Sequence, residues 1–175
     1  MDKQHVIITG ASKGIGQSLA RLLLKCGAVV SNLSRSAGPV GQHFPCDMAD
    51  APSNGFLAAV NANGPPDILV LNAGIARPGL ICELDPQSFW DQMETNFFAA
   101  VEITRAAVKT MQPGSRLVFV GSGAGYVGIQ GHSAYCASKF ALRGFAESMR
   151  GELKSRGIVV SIAYPPQYRH PNAGW

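Results

Sequence analysis

The stretch that decides the fold is His5-Val-Ile-Ile-Thr-Gly10-Ala-Ser-Lys-Gly14-Ile-Gly16, in which an apolar run leads into closely spaced glycines. The run His5–Thr9 predicts a buried strand. The apolar positions that follow are four, three and four residues apart and therefore share one face of a helix: Ile15, Leu19, Leu22 and Cys26. Gly27 suits the position just after the end of that helix. The stretch predicts a strand, a glycine turn and a helix.

A turn of this kind is suited to binding phosphate groups. Because Gly10 and Gly14 have no Cβ, the backbone can approach a pyrophosphate, and the start of the helix offers free N–H groups. Gly16 allows the helix to pack closely on the strand. A Walker-type site is excluded, since no Gly-Lys-Ser/Thr sequence follows. A plain glycine turn without a ligand is the alternative that this spacing leaves open.

The rest of the chain alternates between short apolar runs and helical patterns. Strands are predicted at Ala28–Leu33, Asp67–Leu71, Arg116–Val120 and Ile158–Ala163. Helices are predicted at Pro52–Asn63, Ser88–Met111 and Ser138–Arg156, and a loop at Ser36–Pro45, which is rich in glycine and proline. This alternation predicts an α/β fold: a doubly wound parallel sheet with helices on both faces.

The composition is that of a globular protein, since 46% of the 175 residues are hydrophobic and 15% are charged. A formal net charge of +4 requires no nucleic-acid partner, although it suits a phosphate-bearing cofactor. The sequence shows neither a signal peptide nor a membrane span, so a cytoplasmic protein is expected. Four cysteines without a CxxC pair are expected to be reduced and mostly buried, and four scattered histidines predict no metal site.

The end of the second strand indicates which nucleotide the turn binds. A site for NAD requires a carboxylate there to bind the ribose hydroxyls, about 20 residues after the glycines. This chain has Ser34-Arg35 at that place and no acidic residue until Asp47. Arg35, assisted by Lys13, can pair with a 2′-phosphate, which favours NADP(H). The alternative is that both cations are solvated surface residues.

Tyr135 and Lys139 form a candidate acid–base pair. They are four residues apart, so on a helix both lie on one face. A tyrosine has an ordinary pKa of about 10, and a nearby ammonium lowers that pKa because it favours the phenolate. This spacing alone is a weak signal, because it occurs by chance on many helices.

Further polar residues are expected to join this pair at the carboxyl edge of the sheet, where such folds bind ligands. Ser122 follows the strand at Arg116–Val120 and precedes Tyr135 by 13 residues. Asn72-Ala73-Gly74 ends another strand, and Asn96 lies on a predicted helix. The run Gly123-Ala-Gly-Tyr-Val-Gly128 has a glycine-motif spacing but leads into no apolar helical pattern, so we interpret it as an active-site loop.

Taken together, these motifs resemble the short-chain dehydrogenase/reductases. The resemblance rests on Thr9-Gly-x-x-x-Gly14-x-Gly16, Asn72-Ala-Gly, Asn96, Ser122 and Tyr135-x-x-x-Lys139, and it covers the chain from His5 to about Tyr164. It implies a Rossmann fold and a hydride transfer between a nicotinamide and a carbonyl or alcohol.

The resemblance also implies a role for each matching residue. Tyr135 donates the proton in reduction, and Lys139 lowers its pKa and binds the nicotinamide ribose. Ser122 orients the substrate carbonyl, and Asn96 holds a water that links Lys139 to solvent. Asp47 meets the adenine amino group. The implied cofactor-binding set is Thr9, Gly10, Ser12, Lys13, Gly14, Ile15, Gly16, Ser34, Arg35, Asp47, Met48, Asn72, Ala73, Gly74, Tyr135, Lys139 and Pro165.

A narrower resemblance is to the 3-ketodihydrosphingosine (3-ketosphinganine) reductases. It rests on Val118-Phe-Val-Gly-Ser-Gly-Ala-Gly, on Ser133-Ala-Tyr-Cys-Ala-Ser-Lys-Phe-Ala-Leu-Arg-Gly and on Ile162-Ala-Tyr-Pro-Pro166. It implies a long-chain ketone as substrate. The family continues beyond its sixth strand with a substrate-covering segment and a further strand. We therefore expect one domain over residues 1–175 in which both are absent.

Three functions stay open from the sequence. The first is an NADP(H)-dependent reductase of a long-chain β-keto compound, and the second is a 3-oxoacyl-thioester reductase of the same family. The third is a nucleotide-binding module without turnover, which the short C-terminus would suit. The helices predicted at Ser88–Met111 and Ser138–Arg156 resemble those that pair between subunits in this family, so a homodimer or homotetramer is expected.

Overall fold

The computed structural model describes residues 4–166 and contains one parallel sheet of six strands. The strands are β1 (His5–Thr9), β2 (Val29–Ser34), β3 (Gln42–Pro45), β4 (Ile68–Leu71), β5 (Arg116–Val120) and β6 (Val159–Ala163). The helices are α1 (Gly14–Lys25), α2 (Pro52–Asn63), α3 (Pro86–Met93), α4 (Ala99–Ala107) and α5 (Ser133–Glu152). The predicted α/β class and its parallel sheet are confirmed.

The strand order is β3-β2-β1-β4-β5-β6, so the direction of winding reverses between β1 and β4. Ile7 of β1 is paired with Ser31 on one side and with Leu69 on the other. Such a reversal opens a crevice at the carboxyl ends of the two central strands, because the connections leave in opposite directions. The fold therefore places its crevice where the glycine turn follows β1.

The alternation of side chains along β1 supplies both layers of the core. Val6 and Ile8 pack with Ala20 on the face that α1 covers. Ile7 belongs to the larger cluster on the other face, which includes Phe56 of α2 and Ile103 of α4. All three apolar residues of β1 are inaccessible to solvent, as expected for a central strand covered on both faces.

Helix α1 buries a different face from the one that the apolar spacing indicates. Gly16 and Ala20 are its buried residues, whereas Ile15 is 44% exposed and Leu22 is 59% exposed. Small side chains let the helix axis approach the sheet, so the closest face is the one with the smallest residues. The helix ends as predicted, with Gly27 at a φ of +87° after Cys26.

Two predicted segments differ from the structure. The predicted loop at Ser36–Pro45 ends in the edge strand β3, in which Pro45 is tolerated because it is the last residue of that strand. The single helix predicted at Ser88–Met111 is interrupted by a π-helical turn, Glu94–Phe98. In this turn the N–H of Ala99 donates to the carbonyl of Glu94, five residues earlier.

Two smaller corrections concern α5 and the cysteines. Helix α5 begins at Ser133, five residues before the predicted start, so it carries both Tyr135 and Lys139. The cysteines are all unpaired, as expected, but only two of the four are buried: Cys46 and Cys136 are buried, and Cys26 and Cys82 are exposed.

Candidate active site

The glycine turn after β1 has the backbone geometry that only glycine adopts easily. Gly10 has a φ of +71° and Gly14 a φ of +60°. A Cβ at Gly16 would lie 2.6 Å from both the carbonyl oxygen of Gly10 and Nδ2 of Asn72. The turn is therefore folded tightly against the start of α1, and its backbone N–H groups can face an anion.

The side chains of Thr9 and Asn72 fasten this turn to the end of β4. Thr9 Oγ1 accepts the N–H groups of Asn72 and Ala73, both at 2.9 Å. In return, Asn72 Nδ2 donates to the carbonyl oxygens of Thr9 at 2.9 Å and Gly10 at 3.2 Å. The two central strands are thus joined where the winding reverses. Thr9 is buried behind the turn, and its hydroxyl oxygen holds the turn by accepting two hydrogen bonds.

A cleft of about 620 Å³ runs along this edge of the sheet. Most of the predicted cofactor residues line it: Gly10, Ser12, Lys13, Gly14, Ile15, Ser34, Arg35, Asp47, Met48, Asn72, Ala73 and Gly74. Thr9 and Gly16 lie behind its wall, and Tyr135, Lys139 and Pro165 are not part of its lining. The structure also adds residues that the sequence did not indicate: Leu33, Ser36, Cys46, Ala49, Ile75, Arg77, Asp91 and Thr95.

The charges around this cleft are arranged asymmetrically. Lys13 and Arg35 are exposed on its lining, and no carboxylate is present at Ser34-Arg35-Ser36, where β2 ends. Asp47 follows the neighbouring strand β3 and lines the same cleft. On the far wall Arg77 forms an ion pair with Asp91. The end of the cleft at β2 is therefore suited to a phosphate group.

Asn96 is placed by the π-helical turn and is almost completely buried. Its Oδ1 accepts the N–H of Ile75 at 2.7 Å, and its Nδ2 donates to the Ile75 carbonyl and to Ser138 Oγ, both at 2.9 Å. Both amide hydrogens are thus already used within the protein. Asn96 connects the loop after β4 with α5. Because its Nδ2 has no hydrogen left to donate, a water held by Asn96 would have to donate a hydrogen bond to the Oδ1 oxygen.

Lys139 is buried beneath the floor of the cleft. Its Nζ donates to the carbonyl of Val120 at the end of β5, at 2.9 Å. A Cβ at Gly74 would lie 3.2 Å from Asn96 Oδ1 and 3.7 Å from Lys139 Nζ, so Gly74 is the point where the cleft approaches these groups. Burial disfavours the ammonium and lowers the pKa of Lys139 to about 8.

Tyr135, Lys139 and the turn that follows Ser122 lie near the carboxyl end of β5, where Lys139 Nζ bonds to the Val120 carbonyl. Lys139 Nζ lies 5.8 Å from the centre of the Tyr135 ring, one helical turn away on α5. Ser122 begins the short turn Gly123–Gly125 and accepts the N–H of Ala124 at 3.2 Å. A Cβ at Gly125 would lie 2.9 Å from the Lys139 carbonyl, so this turn packs directly against α5.

Neither a metal site nor a membrane-spanning helix is present in the described part of the chain. Between residues 4 and 166, no group of three or more His, Cys, Asp or Glu side chains is placed to hold a metal ion. In the same range no helix combines the length and the apolar character needed to cross a membrane.

Comparison with known proteins identifies the family. The family model "short chain dehydrogenase" matches residues 4–172, so the chain belongs to the short-chain dehydrogenases. It is similar to the 3-dehydrosphinganine reductase of Danio rerio, with 34% identity over 95% of this chain and 57% of the relative. The chain thus spans little more than half the length of that protein.

Similarity extends to a second group of relatives and to solved structures. The 3-oxoacyl-[acyl-carrier-protein] reductase of Salmonella typhimurium is 33% identical over 91% of this chain and 71% of its own length. The fold matches that of a blue fluorescent protein from a metagenomic library in complex with NADPH, with a TM-score of 0.89, 28% identity and coverage of 96% of this chain and 76% of that one. It also matches 4-hydroxyisoleucine dehydrogenase complexed with NADH, with a TM-score of 0.84, 24% identity and coverage of 91% and 74%.

Proposed function

We propose that this chain carries the catalytic residues of an NADP(H)-dependent reductase that converts a β-keto group on a long-chain compound to the alcohol. The observation that carries the proposal is the buried ammonium of Lys139, held 2.9 Å from the Val120 carbonyl and one helical turn from Tyr135. A cation is costly to bury, so its presence beside a phenol and beneath a cleft indicates a chemical role.

The residues of the site fit a nicotinamide dinucleotide. Gly10 and Gly16 lie where a Cβ would meet neighbouring atoms, so the turn is compact enough for a pyrophosphate to lie over it. A bound nicotinamide would supply the hydride to the carbonyl carbon of the substrate. Tyr135 would donate its phenolic proton to the carbonyl oxygen, and Ser122 would hydrogen-bond to that oxygen and orient it. Lys139 would stabilise the phenolate that remains.

The preference for NADP(H) is supported by the cations at the end of β2. Arg35 lines the cleft at the place where an NAD site would have a carboxylate. A guanidinium can bind a 2′-phosphate through two parallel hydrogen bonds, and Lys13 adds a second positive charge nearby. Structures of similar fold include one complex with NADPH and one with NADH, so the proposed preference rests on Arg35 and Lys13.

The substrate class is supported by the relatives. The similarity to a 3-dehydrosphinganine reductase favours a long-chain β-keto amine. A β-keto thioester is the second candidate, because the chain covers a larger share of the 3-oxoacyl reductase, 71% against 57%.

We further propose a homodimer or homotetramer formed through the helices around Phe98 and Phe140, whose rings are both exposed.

The experiment that tests the proposed function follows NADPH oxidation at 340 nm with purified protein. One reaction contains a long-chain β-keto amine and the other a β-keto acyl thioester, and both are repeated with the corresponding alcohol products as a control. We expect oxidation of NADPH with the keto amine and a slower rate with the thioester. The reverse order would assign the chain to the thioester reductases. Cofactor binding without turnover of either would instead show a nucleotide-binding module.

A further inference from the structure

The loop after β4 is held by two carboxamide side chains that lie one helical turn apart. Asn96 bonds to both main-chain polar groups of Ile75, as described above. Gln92 repeats this arrangement two residues further along the loop. Its Oε1 accepts the N–H of Arg77 at 3.0 Å, and its Nε2 donates to the Arg77 carbonyl at 3.3 Å. The N–H and carbonyl groups of both Ile75 and Arg77 are therefore hydrogen-bonded to side chains of the helix.

The environment of Gln92 shows that this contact is built into the fold. Its side chain is inaccessible to solvent, and Nε2 also donates to the Ser88 carbonyl at 3.1 Å. Both amide hydrogens and the amide oxygen are thus satisfied. A buried carboxamide is costly unless its polar atoms are paired, so Gln92 is stable here only while the loop keeps its position.

Arg77 is also held at its other end. Its guanidinium pairs with Asp91, the residue before Gln92, and Asp91 accepts a further hydrogen bond from Gln87 Nε2 at 2.9 Å. Ile75, Arg77 and Asp91 all line the cleft that we assign to the cofactor. The conformation of 75–77 therefore determines the shape and charge of one wall of that cleft.

We propose that Gln92 is a positioning residue for cofactor binding, because it fixes the main chain of Arg77 and so the cleft wall from Gly74 to Arg77. This inference rests on the proposed function. Arg77 is an exposed residue, so a loop that has lost both bonds from Gln92 can move outward, where water hydrates its main-chain N–H and carbonyl. The loop can then leave the helix while the core stays folded, and the cofactor has to order it again on binding.

The main test compares Gln92→Met with the parent protein by calorimetric titration of NADP+. Methionine fills a similar volume but offers no strong donor or acceptor. We expect the dissociation constant to rise about fivefold to tenfold, which corresponds to losing two neutral hydrogen bonds. We also expect KM for NADPH to rise while kcat stays within about twofold, because the groups at the end of β5 are unchanged.

Ser88→Ala is the matched control. Ser88 is buried one turn before Gln92, and its hydroxyl has no partner among the described residues. Its carbonyl, to which Gln92 donates, is retained in the variant. The dissociation constant for NADP+ should therefore stay at the parental value. An equal loss of affinity in both variants would show that any change in this helix weakens binding, which would overturn the specific role of Gln92.

Gln92→Glu provides a second, pH-dependent test. A protonated carboxyl has nearly the shape of the amide and can donate to the Arg77 carbonyl, whereas the carboxylate cannot. Burial raises the pKa of such a carboxyl above its ordinary value. We measure the affinity of this variant for NADP+ at each pH and divide it by the affinity of the parent protein. This ratio should rise toward one as the pH falls from 8 to about 5.5. A ratio that does not change with pH overturns the inference.

The outcomes separate this inference from the proposed function. If the parent protein does not bind NADP+, the proposed function fails and the inference fails with it. If the parent binds and Gln92→Met binds equally well, the inference alone fails. If Gln92→Met does not fold, the pH dependence of Gln92→Glu decides the question.

Discussion

At the scale of single residues, Lys139 shows the conflict between stability and chemistry most clearly. Its ammonium is buried with one hydrogen-bond partner that the structure assigns, the Val120 carbonyl, and its pKa is lowered to about 8. The unfolded chain binds the proton with an ordinary pKa of 10.5, so the folded state is penalised at every pH below 8. The penalty is relieved as the pH rises from about 8 to about 10.5.

We therefore expect Lys139→Met to stabilise the cofactor-free protein while it abolishes turnover. The pKa difference corresponds to about 3 kcal/mol at pH 7, from which about 1 kcal/mol is subtracted for the unpaired Val120 carbonyl. Urea unfolding at pH 7 and pH 10 measures this effect, and the gain should shrink at the higher pH. Loss of stability at pH 7 would show that the ammonium contributes to folding.

Tyr135 is expected to be needed for proton transfer only. Tyr135→Phe removes the phenolic hydroxyl, which makes no hydrogen bond within residues 4–166, and keeps the ring next to Lys139. Turnover should fall by at least about a hundredfold, the contribution of a general acid, while NADPH binding measured by fluorescence stays largely intact. A parallel loss of binding and folding would instead make Tyr135 a structural residue.

Arg35 is expected to determine the choice of nucleotide. Arg35→Ala should raise KM for NADPH by about tenfold to a hundredfold and change KM for NADH little, because only NADPH carries the 2′-phosphate. Arg21→Ala, which removes an exposed cation on α1, is the matched control for net charge. Equal effects on the two cofactors would contradict the assignment of NADP(H).

Several site residues could be predicted from the sequence because their spacing has a direct geometric meaning. Tyr135 and Lys139 lie on one helix face, and the glycines follow a buried strand. Gln92 could not be predicted, since a buried carboxamide that bonds to a loop main chain leaves no pattern of its own. The one available signal was that Gln92 and Asn96 are four residues apart, which places them on one helix face. This spacing indicates a shared role only once the structure shows that both side chains bond to the loop at 75–77.

At the scale of elements, the glycine turn distinguishes two kinds of constraint. Gly14 has a φ of +60° but open space around its Cβ position, whereas Gly16 has a Cβ position only 2.6 Å from two atoms. Gly14→Ala should therefore cost about 1 kcal/mol of backbone strain and leave the turn in place, while its methyl group on the lining of the cleft weakens cofactor binding.

Gly16→Ala is expected to be more damaging than Gly14→Ala. The added methyl would force Asn72 and the Gly10 carbonyl apart, and both hold the turn in place. We expect a loss of about 2–3 kcal/mol in the free energy of unfolding and no measurable NADPH binding. Thermal unfolding and cofactor titration of both variants provide the comparison. Equal behaviour would show that the close approach at Gly16 has no special importance.

The elements that differed from prediction did so for identifiable reasons. The π-helical turn at Glu94–Phe98 does not disturb the apolar pattern of its helix, so the sequence indicates one uninterrupted element. Strand β3 lies within a stretch rich in glycine and proline, and its pairing with β2 depends on tertiary contacts that local propensity does not contain. The buried face of α1 is made by Gly16 and Ala20, which a search for large apolar residues overlooks.

At the scale of the whole molecule, His5 links several elements at the amino end of the sheet. Its Nδ1 donates to the Gly64 carbonyl at 2.9 Å, and its Nε2 accepts from Ser31 Oγ at 2.8 Å. Ser31 Oγ in turn accepts a hydrogen bond from Asn63 Nδ2 at 3.1 Å. The neutral ring satisfies both partners, and burial, which disfavours the charged ring, lowers the pKa of His5.

Global stability should therefore decrease in mild acid. Above a pH of about 6.5 the ring is neutral in both states, and below it the unfolded chain takes up a proton more readily than the folded protein. Urea unfolding at pH 7.5 and pH 5.5 should show this loss, and His5→Gln should reduce the difference between the two values. His43→Gln is the control. An unchanged pH dependence in His5→Gln would assign the effect to other groups.

The two margins of the sheet differ in how well they are protected against other chains. At one margin, β3 has four residues and ends in Pro45, which cannot donate a main-chain hydrogen bond. At the other, β6 has five residues without proline or charge, and Val159, Ser161 and Ala163 are exposed. Within residues 4–166 no strand pairs with the outer side of β6. The Val160 carbonyl on this outer side accepts a hydrogen bond from Arg150 Nε at 3.4 Å. The other outward amide and carbonyl groups of β6 can template intermolecular β-pairing, so concentrated solutions of this chain should aggregate through that margin first.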